Sequence, residues 1–252
     1  MKDMKDTAKG RLLDAIAGLA QDVDDSRNAF YRDRRLPDTL FAALADAGLF
    51  RLWLPVELGG AGLSPPDFLE VVEAASALDG SVGWLVGNGG GAVCEVDEGR
   101  PAGQGQRILV YVPRTAVTIL DTWRVSGLRA TGSCDFVMAD IDVAADFTHD
   151  FQAVPTSDGA IYRLPAISAF CFTVATVPLG IATGARNAFT TLATGHKRSG
   201  GAVALAQREA IQSEVGRVET LIGASRAYLR ATMSDLCAEV VDGGPATEGA
   251  RL

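Results

Sequence analysis

The sequence is poor in the residues that build metal and disulfide sites. It contains two histidines and four cysteines, and no two cysteines form a CxxC pair. Zinc sites and disulfide frameworks need such residues at short, regular spacings, so neither follows from this sequence. Three of the cysteines stand among apolar residues or alanines, which is typical of buried free thiols. We therefore expect a protein of the reducing cytoplasm that holds no metal.

An excess of positive charge is also missing. The chain carries 23 lysines and arginines against 31 aspartates and glutamates, a formal net charge of −8. Because binding to nucleic acid needs a basic face for the phosphates, this balance argues against a nucleic-acid partner. The opening residues MKDMKDTAKG lack the apolar stretch of a secretory signal.

One long run lacks charge altogether, between Arg163 and Arg186. Its apolar length alone would permit a membrane-spanning helix. The run also contains Pro178, Gly180, Gly184 and several serines and threonines, and no full aromatic belt flanks it. We favour a helix buried inside a bundle over a spanning one, and expect no membrane contact.

The apolar residues, 48% of the 252 positions, suffice for a sizeable core. Their helical spacing predicts N-terminal helices over residues 7–34, 37–48, 65–78 and 81–86. Ser64 is a candidate N-cap with Pro65 or Pro66 in the first turn, and Ser81 is a candidate cap for the last of these helices.

The pattern changes at GNGGG, residues 87–91. A dinucleotide-binding loop would follow a strand in a βαβ unit, whereas this stretch follows a helix, so we interpret it as a junction. Alternating residues then predict short strands over 107–114, 116–121, 122–127 and 134–143. Helical spacing returns over 166–195 and 205–239. The chain is therefore predicted to be mainly α with a small β segment.

Three stretches carry a resemblance to a known family. The first is AGLF, then LPVELGGAGLS and a helix ending in DGSVGW, within residues 36–84. The second is DTW…GLRATGS, within residues 117–143, and the third and weaker one is LGIATGARNAFTTLATGHKRS at 179–199. They resemble, in turn, the N-terminal helical domain, the latter half of the middle β domain and the C-terminal bundle of the acyl-CoA dehydrogenase superfamily. The second is most similar to the reduced-flavin-dependent monooxygenase branch.

The resemblance implies an acyl-CoA dehydrogenase-like fold in a shortened form. Its expected parts are an N-terminal helical domain at 1–91, a junction at 92–106, a truncated β domain at 107–150 and a partial C-terminal helical bundle at 163–252. The first half of the family's β domain is replaced here by the short stretch at 87–106. The pattern ends inside the C-terminal bundle, so neither the dehydrogenases' catalytic Glu nor the monooxygenases' late His can be assigned, and the catalytic residues stay unknown.

The same resemblance implies an oxidoreductase with FAD or FMN as cofactor. The expected reaction is hydroxylation of an aromatic or polyketide-like small molecule with reduced flavin and O₂, the flavin being supplied by a separate flavin reductase. Acyl-CoA dehydrogenation is the close variant. The shortening leaves an alternative open: a catalytically inactive or cofactor-free member that acts as partner subunit of a full-length flavoprotein. Because missing strands and helices would leave apolar faces uncovered, we expect a homo-oligomer, or a hetero-oligomer with a paralogue.

The turn at residues 127–133 is a candidate flavin-phosphate contact. Arg129, Thr131 and Ser133 offer donors there, and two glycines allow tight turns. The alternative is a β-turn whose polar side chains bond to local backbone, which turn chemistry alone explains.

Other candidates come from the resemblance. Arg198 aligns with the arginine that, in family members, reaches the flavin pyrophosphate of a neighbouring subunit, and guanidinium is a good bidentate phosphate ligand. The alternative is a cation at a helix C-terminus. Gln207 lies near the family's adenine-side glutamine, and Arg163 precedes the long helix that approaches the flavin. Trp84 and Trp123 are candidates for an aromatic substrate pocket, with core packing as the alternative.

Overall fold

A computed structural model of the chain describes residues 7–88, 92–95, 107–150, 159–164, 166–195 and 204–241. Within them the protein is mainly helical, with a small β segment between two sets of helices, as predicted. The helices are α1 (Ala8–Gly18), α2 (Ala20–Asp33), α3 (Asp38–Asp46), α4 (Pro65–Leu78), α5 (Gly80–Asn88), α6 (Ala160–Arg163), α7 (Ala166–Gly195) and α8 (Glu209–Val241). The strands are β1 (Ala92–Glu95), β2 (Arg107–Val110), β3 (Thr118–Ile119), β4 (Phe136–Val137) and β5 (Thr148–Asp150).

Two of the N-terminal helices, α1 and α4, begin at a short polar side chain, Thr7 or Ser64, that accepts a hydrogen bond from the first turn. Ser64 Oγ accepts a hydrogen bond from Asp67 N, so the predicted cap of α4 is confirmed. The predicted Ser81 cap of α5 is wrong, because Asp79 Oδ1 accepts from Ser81 N at 2.8 Å instead. The predicted helix over 7–34 is interrupted at Leu19, which separates α1 from α2.

The contact between α4 and α7 is very close. A Cβ atom on Gly180 would stand 2.3 Å from Ser76 Cβ, and one on Gly184 would stand 2.2 Å from the carbonyl oxygen of Ala77. Glycine therefore allows the two helix backbones to approach at these positions. Both helices contribute to the core, whose largest fully buried side chains include Val23, Leu44, Leu49, Val71, Val72, Val82, Thr176 and Met233.

The β segment forms two small antiparallel sheets. One has the order β1–β2–β5, and the other pairs β3 with β4, Thr118 opposite Val137 and Ile119 opposite Phe136. The strands are shorter than predicted, and 122–127 forms no strand. Beyond β3 the backbone turns, since Thr122 N donates to Leu120 O and Thr122 Oγ1 accepts from Asp135 N.

The two long C-terminal helices follow. The α7 helix spans the predicted range, with Pro178 inside it, while residues 205–207 form a 3₁₀ turn before α8 rather than its first turn. The stretch Ser168–Gly195 is long and apolar enough to cross a membrane by length and composition, with a mean hydropathy of 1.5. It packs against α4, α5 and α8, as a core helix does. The domain limits at 91, 107, 150 and 163 stay a prediction.

Candidate functional site

The β segment is fastened to the end of α2 through Arg34. This side chain donates to the carbonyl oxygen of Trp123 at 3.0 Å and pairs with Asp121 at 2.6 Å. The hydrogen bond from Arg34 holds the pKa of the Asp121 carboxyl below its ordinary value. Arg35 and Thr131 form a further antiparallel bridge. The turn at 127–133 is thus held in a defined position against the N-terminal helices.

The donors predicted to contact flavin phosphate are engaged within the protein. Arg129 Nη2 donates to Tyr31 O at 3.0 Å, and its guanidinium lies 5.5 Å from the centre of the Tyr31 ring. Thr131 Oγ1 donates to Leu128 O at 3.1 Å and lies 2.8 Å from Ser133 Oγ. The contacts of Thr131 and Ser133 are the local ones of the β-turn interpretation, whereas Arg129 bonds to a distant part of the chain. A cofactor role for Arg129, Thr131 and Ser133 stays a prediction.

A cleft of about 350 Å³ lies beside this turn, between α2, the start of α5 and α7. We call it the α2 cleft. Arg27 crosses one side, where it donates to Leu78 O at 2.8 Å and pairs with Asp79 at 3.3 Å. Arg129 borders the cleft, and its Nε is buried without a hydrogen-bond partner. The other walls comprise Phe30, Tyr31, Gly80, Ser81, Ser126, Gly127, Leu128, Ala130 and Ile181.

A second opening of about 410 Å³ lies between the C-terminal part of α7 and the start of α8. We call it the α7–α8 groove. Its wall is apolar apart from Arg186 and Glu214. Arg186 pairs with Glu219 at 3.1 Å, and its Nε is buried without a hydrogen-bond partner. The apolar lining is Ala182, Ala185, Phe189, Ile211, Val215 and Val218.

The remaining predicted flavin contacts are spread over the C-terminal half. Gln207 is exposed in the 3₁₀ turn that leads into α8, and Arg163 is exposed at the end of α6. Arg198 lies outside the described residues. These three assignments stay predictions.

The two candidate pocket tryptophans are placed apart in the fold. Trp84 on α5 packs half-buried on the core and meets Phe170 edge-on, with ring centres 6.4 Å apart. Trp123 Nε1 donates to Leu128 O at 3.4 Å. Neither lines the α2 cleft or the α7–α8 groove. Their role in a substrate pocket stays a prediction.

Sequence reasoning missed a buried ion pair that joins the two helical halves. Glu73 on α4 accepts from Arg226 on α8, through Nε at 2.9 Å and Nη2 at 2.6 Å. Thr183 on α7 donates to the same carboxylate at 3.3 Å. The hydrogen bond to Glu73 raises the pKa of Arg226. The sequence signal for this ion pair was Glu73 within the apolar run FLEVVEAA, because a carboxylate buried among apolar residues requires a partner.

Among the described residues, no group of three or more histidine, cysteine or acidic side chains could hold a metal ion.

Comparison with known proteins covers both helical regions. Residues 3–109 match the acyl-CoA dehydrogenase N-terminal domain, and residues 172–252 match the acyl-CoA dehydrogenase C-terminal domain. An indole-3-acetate monooxygenase of Pseudomonas putida is 26% identical, over 86% of this chain and 70% of its own length.

Two solved structures, the first of them a monooxygenase, share the fold. The HsaA monooxygenase of M. tuberculosis superposes with a TM-score of 0.79 at 22% identity, covering 96% of this chain and 80% of its own. XiaF from Streptomyces sp., solved with FADH2 and glycerol, gives a TM-score of 0.79 at 19% identity, covering 96% of this chain and 78% of its own.

The alignment with the P. putida enzyme contains gaps within this sequence, because it runs over 274 positions whereas the chain has 252 residues. The residues between the two matched domains hold the short strands β3, β4 and β5. The two family matches, the shared fold and the shared order of parts together show that this chain belongs to the acyl-CoA dehydrogenase superfamily, with flavin-dependent monooxygenases among its relatives.

Proposed function

We propose that the protein is a flavin-dependent oxidoreductase that hydroxylates an aromatic or polyketide-like small molecule with reduced FAD or FMN and O₂. The observation that carries this proposal is the alignment of 86% of this chain with an indole-3-acetate monooxygenase, supported by the fold that the chain shares with XiaF, a protein solved with FADH2. The relative named for an aromatic acid, indole-3-acetate, points to the same substrate class. Acyl-CoA dehydrogenation on the same scaffold is the close variant.

The α2 cleft has the size and one of the charges that an anionic ligand needs. Its volume of about 350 Å³ falls within the range of small-molecule sites. Arg129, whose Nε has no hydrogen-bond partner, borders it. Since Thr131 and Ser133 already bond locally, Arg198 is the residue that we expect to hold the flavin pyrophosphate. We expect Gln207 on the adenine side and Arg163 at the start of the helix that approaches the flavin.

When bound, the flavin supplies the redox chemistry with O₂, while the protein contributes binding, orientation and exclusion of water. We further propose that a separate reductase provides the reduced flavin, and that the protein acts in the cytoplasm.

Flavin titration tests the proposal. Addition of FMN, FAD or their reduced forms under anaerobic conditions should quench flavin fluorescence or shift its spectrum. Arg198→Ala and Gln207→Ala should each weaken binding by about tenfold, as expected for the loss of a phosphate or polar contact. Arg114→Ala, at an exposed site of the β segment, should leave binding unchanged. Absence of any spectral change with all four flavins would overturn the proposal.

The internal shortening favours one alternative, a partner subunit without its own cofactor. The strands of the β segment are two to four residues long, which is little scaffold for a flavin ring. If the chain binds flavin only when mixed with a full-length homologue, the partner role is correct. If the chain alone binds reduced flavin and consumes O₂ with an aromatic acid such as indole-3-acetate, the enzyme role is correct.

A further inference from the structure

One side of the α2 cleft is built from charged groups that already compensate each other. Arg27 donates from Nε to Asp24 at 2.8 Å and from Nη2 to Leu78 O at 2.8 Å. It also pairs with Asp79, whose other carboxylate oxygen accepts from Ser81 N. The guanidinium of Arg27 and the carboxylate of Asp79 therefore form a fixed wall, and neither needs a ligand.

Arg129, on another wall of the cleft, is not compensated in this way. Its Nη2 donates to Tyr31 O, and among the described residues no carboxylate pairs with it. Nε is buried without a hydrogen-bond partner, whereas Nη1 is open to solvent and makes no hydrogen bond to the described residues. The cleft thus carries one positive charge that an anion can neutralise.

The backbone beside Arg129 is an independent sign of a binding site. Leu128 has φ 51°, in the left-handed region that leucine rarely adopts. Its side chain lines the cleft and lies close to Gly80, where an added Cβ would stand 2.9 Å from Leu128 Cδ2. Such strained conformations cluster at the places where proteins bind ligands.

The remaining walls determine the class of ligand. Phe30 and Ile181 supply apolar surface, and Tyr31 supplies an aromatic ring, within a volume of about 350 Å³. One uncompensated guanidinium suits a carboxylate, which carries a single negative charge at pH 7. A phosphate group carries about −1.5 to −2 at this pH and would lack a second cation.

We propose that the α2 cleft binds a small monocarboxylic acid with an aromatic body. Its carboxylate accepts hydrogen bonds from Arg129 Nη1 and from the hydroxyl of Ser126, which lines the cleft and has no other partner among the described residues. Its ring packs between Phe30 and Ile181. The proposal does not depend on flavin, because every residue that it uses lies in the α2 cleft.

Three related probes test the two parts of this recognition in the flavin-free full chain. Isothermal titration calorimetry should detect binding of phenylacetate. Phenylacetamide has the same ring without the charge, and acetate has the charge without the ring. Each should bind at least about tenfold more weakly than phenylacetate, because each lacks one of the two interactions. Inorganic phosphate should also bind more weakly.

Substitutions locate the site. Arg129→Gln should weaken phenylacetate binding by at least about tenfold, and Arg129→Lys, which keeps the charge, should weaken it less. Arg124→Gln is the matched control. It removes the same charge from an exposed position of the β segment outside the cleft, so affinity should stay within about twofold.

A substitution on the opposite wall covers the case in which Arg129→Gln does not fold. Ile181 is 42% exposed, so Ile181→Phe has room for a larger side chain and fills the cleft without altering Arg129. It should weaken phenylacetate binding by at least about tenfold. Circular dichroism identifies any variant that has lost its helices.

Three results would overturn the proposal. They are no binding of phenylacetate, equal affinities for phenylacetate and phenylacetamide, and an affinity that folded Arg129→Gln or Ile181→Phe leaves unchanged. Failure of the flavin proposal would look different. Arg198→Ala should bind phenylacetate as the wild type does, and a chain that binds the acid but no flavin would support the α2 cleft site alone.

Discussion

Glu73 and Arg226 show at the residue scale how the two helical halves are joined. The Glu73 side chain is 11% exposed and that of Arg226 is 28% exposed, so their charges are largely removed from water. Removal of one partner from such a pair leaves the other charge without compensation. This destabilises the fold more than replacement of both partners does.

We expect Glu73→Ala to lower the free energy of unfolding by about 2 kcal/mol, because Arg226 keeps a charge that it can no longer pair. Urea unfolding followed by circular dichroism measures the change. The control is Glu214→Ala, which removes an exposed i,i+3 pair with Arg217 and should leave stability nearly unchanged. Equal effects of the two substitutions would show that burial of the Glu73 pair is unimportant.

Asp67 provides a second prediction at this scale, since its charge is linked to folding. Burial alone would raise the pKa of Asp67, but the hydrogen bonds from Lys9 and Ser64 outweigh it and leave the pKa below the ordinary 3.8. A group whose pKa falls on folding stabilises the folded state above its unfolded-state pKa. This contribution is lost as the pH falls through 3.8 toward the lower folded-state value.

Asp67→Asn should therefore destabilise the protein at pH 7 by about 0.5–1 kcal/mol, a range that allows for solvent screening of a partly exposed pair. The difference from the wild type should shrink as the pH falls below about 4. Urea unfolding at pH 3, 5 and 7 measures it, with Asp142→Asn at an exposed site of the β segment as control. A difference that stays constant over this range would contradict the assignment.

At the scale of elements, the α4–α7 contact depends on two glycines. We expect Gly184→Ala to destabilise the fold by about 2 kcal/mol, because its Cβ would overlap the carbonyl oxygen of Ala77 and separate the helices. Gly216→Ala in α8 is the matched control. No atom lies within 4 Å of the added Cβ there, so alanine should stabilise the helix by up to about 1 kcal/mol. Thermal unfolding of both variants tests whether stability falls for Gly184→Ala and rises for Gly216→Ala.

Elements whose ends are set by neighbouring residues were predictable from the sequence. Ser64 and Pro65 mark the start of α4 because capping acts within one turn. The helical spacing of the apolar residues predicted α7 over its full range. The burial predicted for it is incomplete, since Phe170, Ile181 and Leu192 are exposed. The resemblance to the superfamily predicted the order of helices and strands.

Elements that depend on distant contacts were not predictable in this way. The residues TWRVSG alternate between polar and apolar side chains as a strand does, yet they form no strand. The carbonyl oxygen of Trp123 accepts a hydrogen bond from Arg34, which lies 89 positions earlier in the chain. In the candidate site, the sequence alone predicted that Arg129 contacts a flavin phosphate. In the structure it donates to Tyr31, 98 positions away, and spacing within the turn cannot reveal that contact. The α7–α8 groove depends on the pairing of two helices, so no single motif marks it.

At the scale of the whole molecule, stability should be uneven. The helices α4 and α7 are held by the glycine contact and by Glu73, whereas the β3–β4 pair has two residues in each strand and exposes all four side chains. Short pairs of strands are only marginally stable by themselves.

Hydrogen exchange followed by mass spectrometry should therefore show the backbone amides of β3 and β4 exchanging first and those of α4 and α7 last, with protection differing by at least about a hundredfold. The strands β1, β2 and β5 should lie between these limits. Uniform protection across the β segment and α4 would contradict this order.

The close contact between α4 and the glycines of α7 also affects when the core can form during synthesis. Ser76 and Ala77 meet Gly180 and Gly184, which leave the ribosome about a hundred residues later. Until then α1 and α5 can pack on α4, but the side of α4 that faces α7 has no partner, and at ordinary rates of translation this interval lasts on the order of 5–20 s. The nascent chain therefore exposes an apolar helical surface during this interval, and the α4–α7 part of its core closes only after α7 has been made.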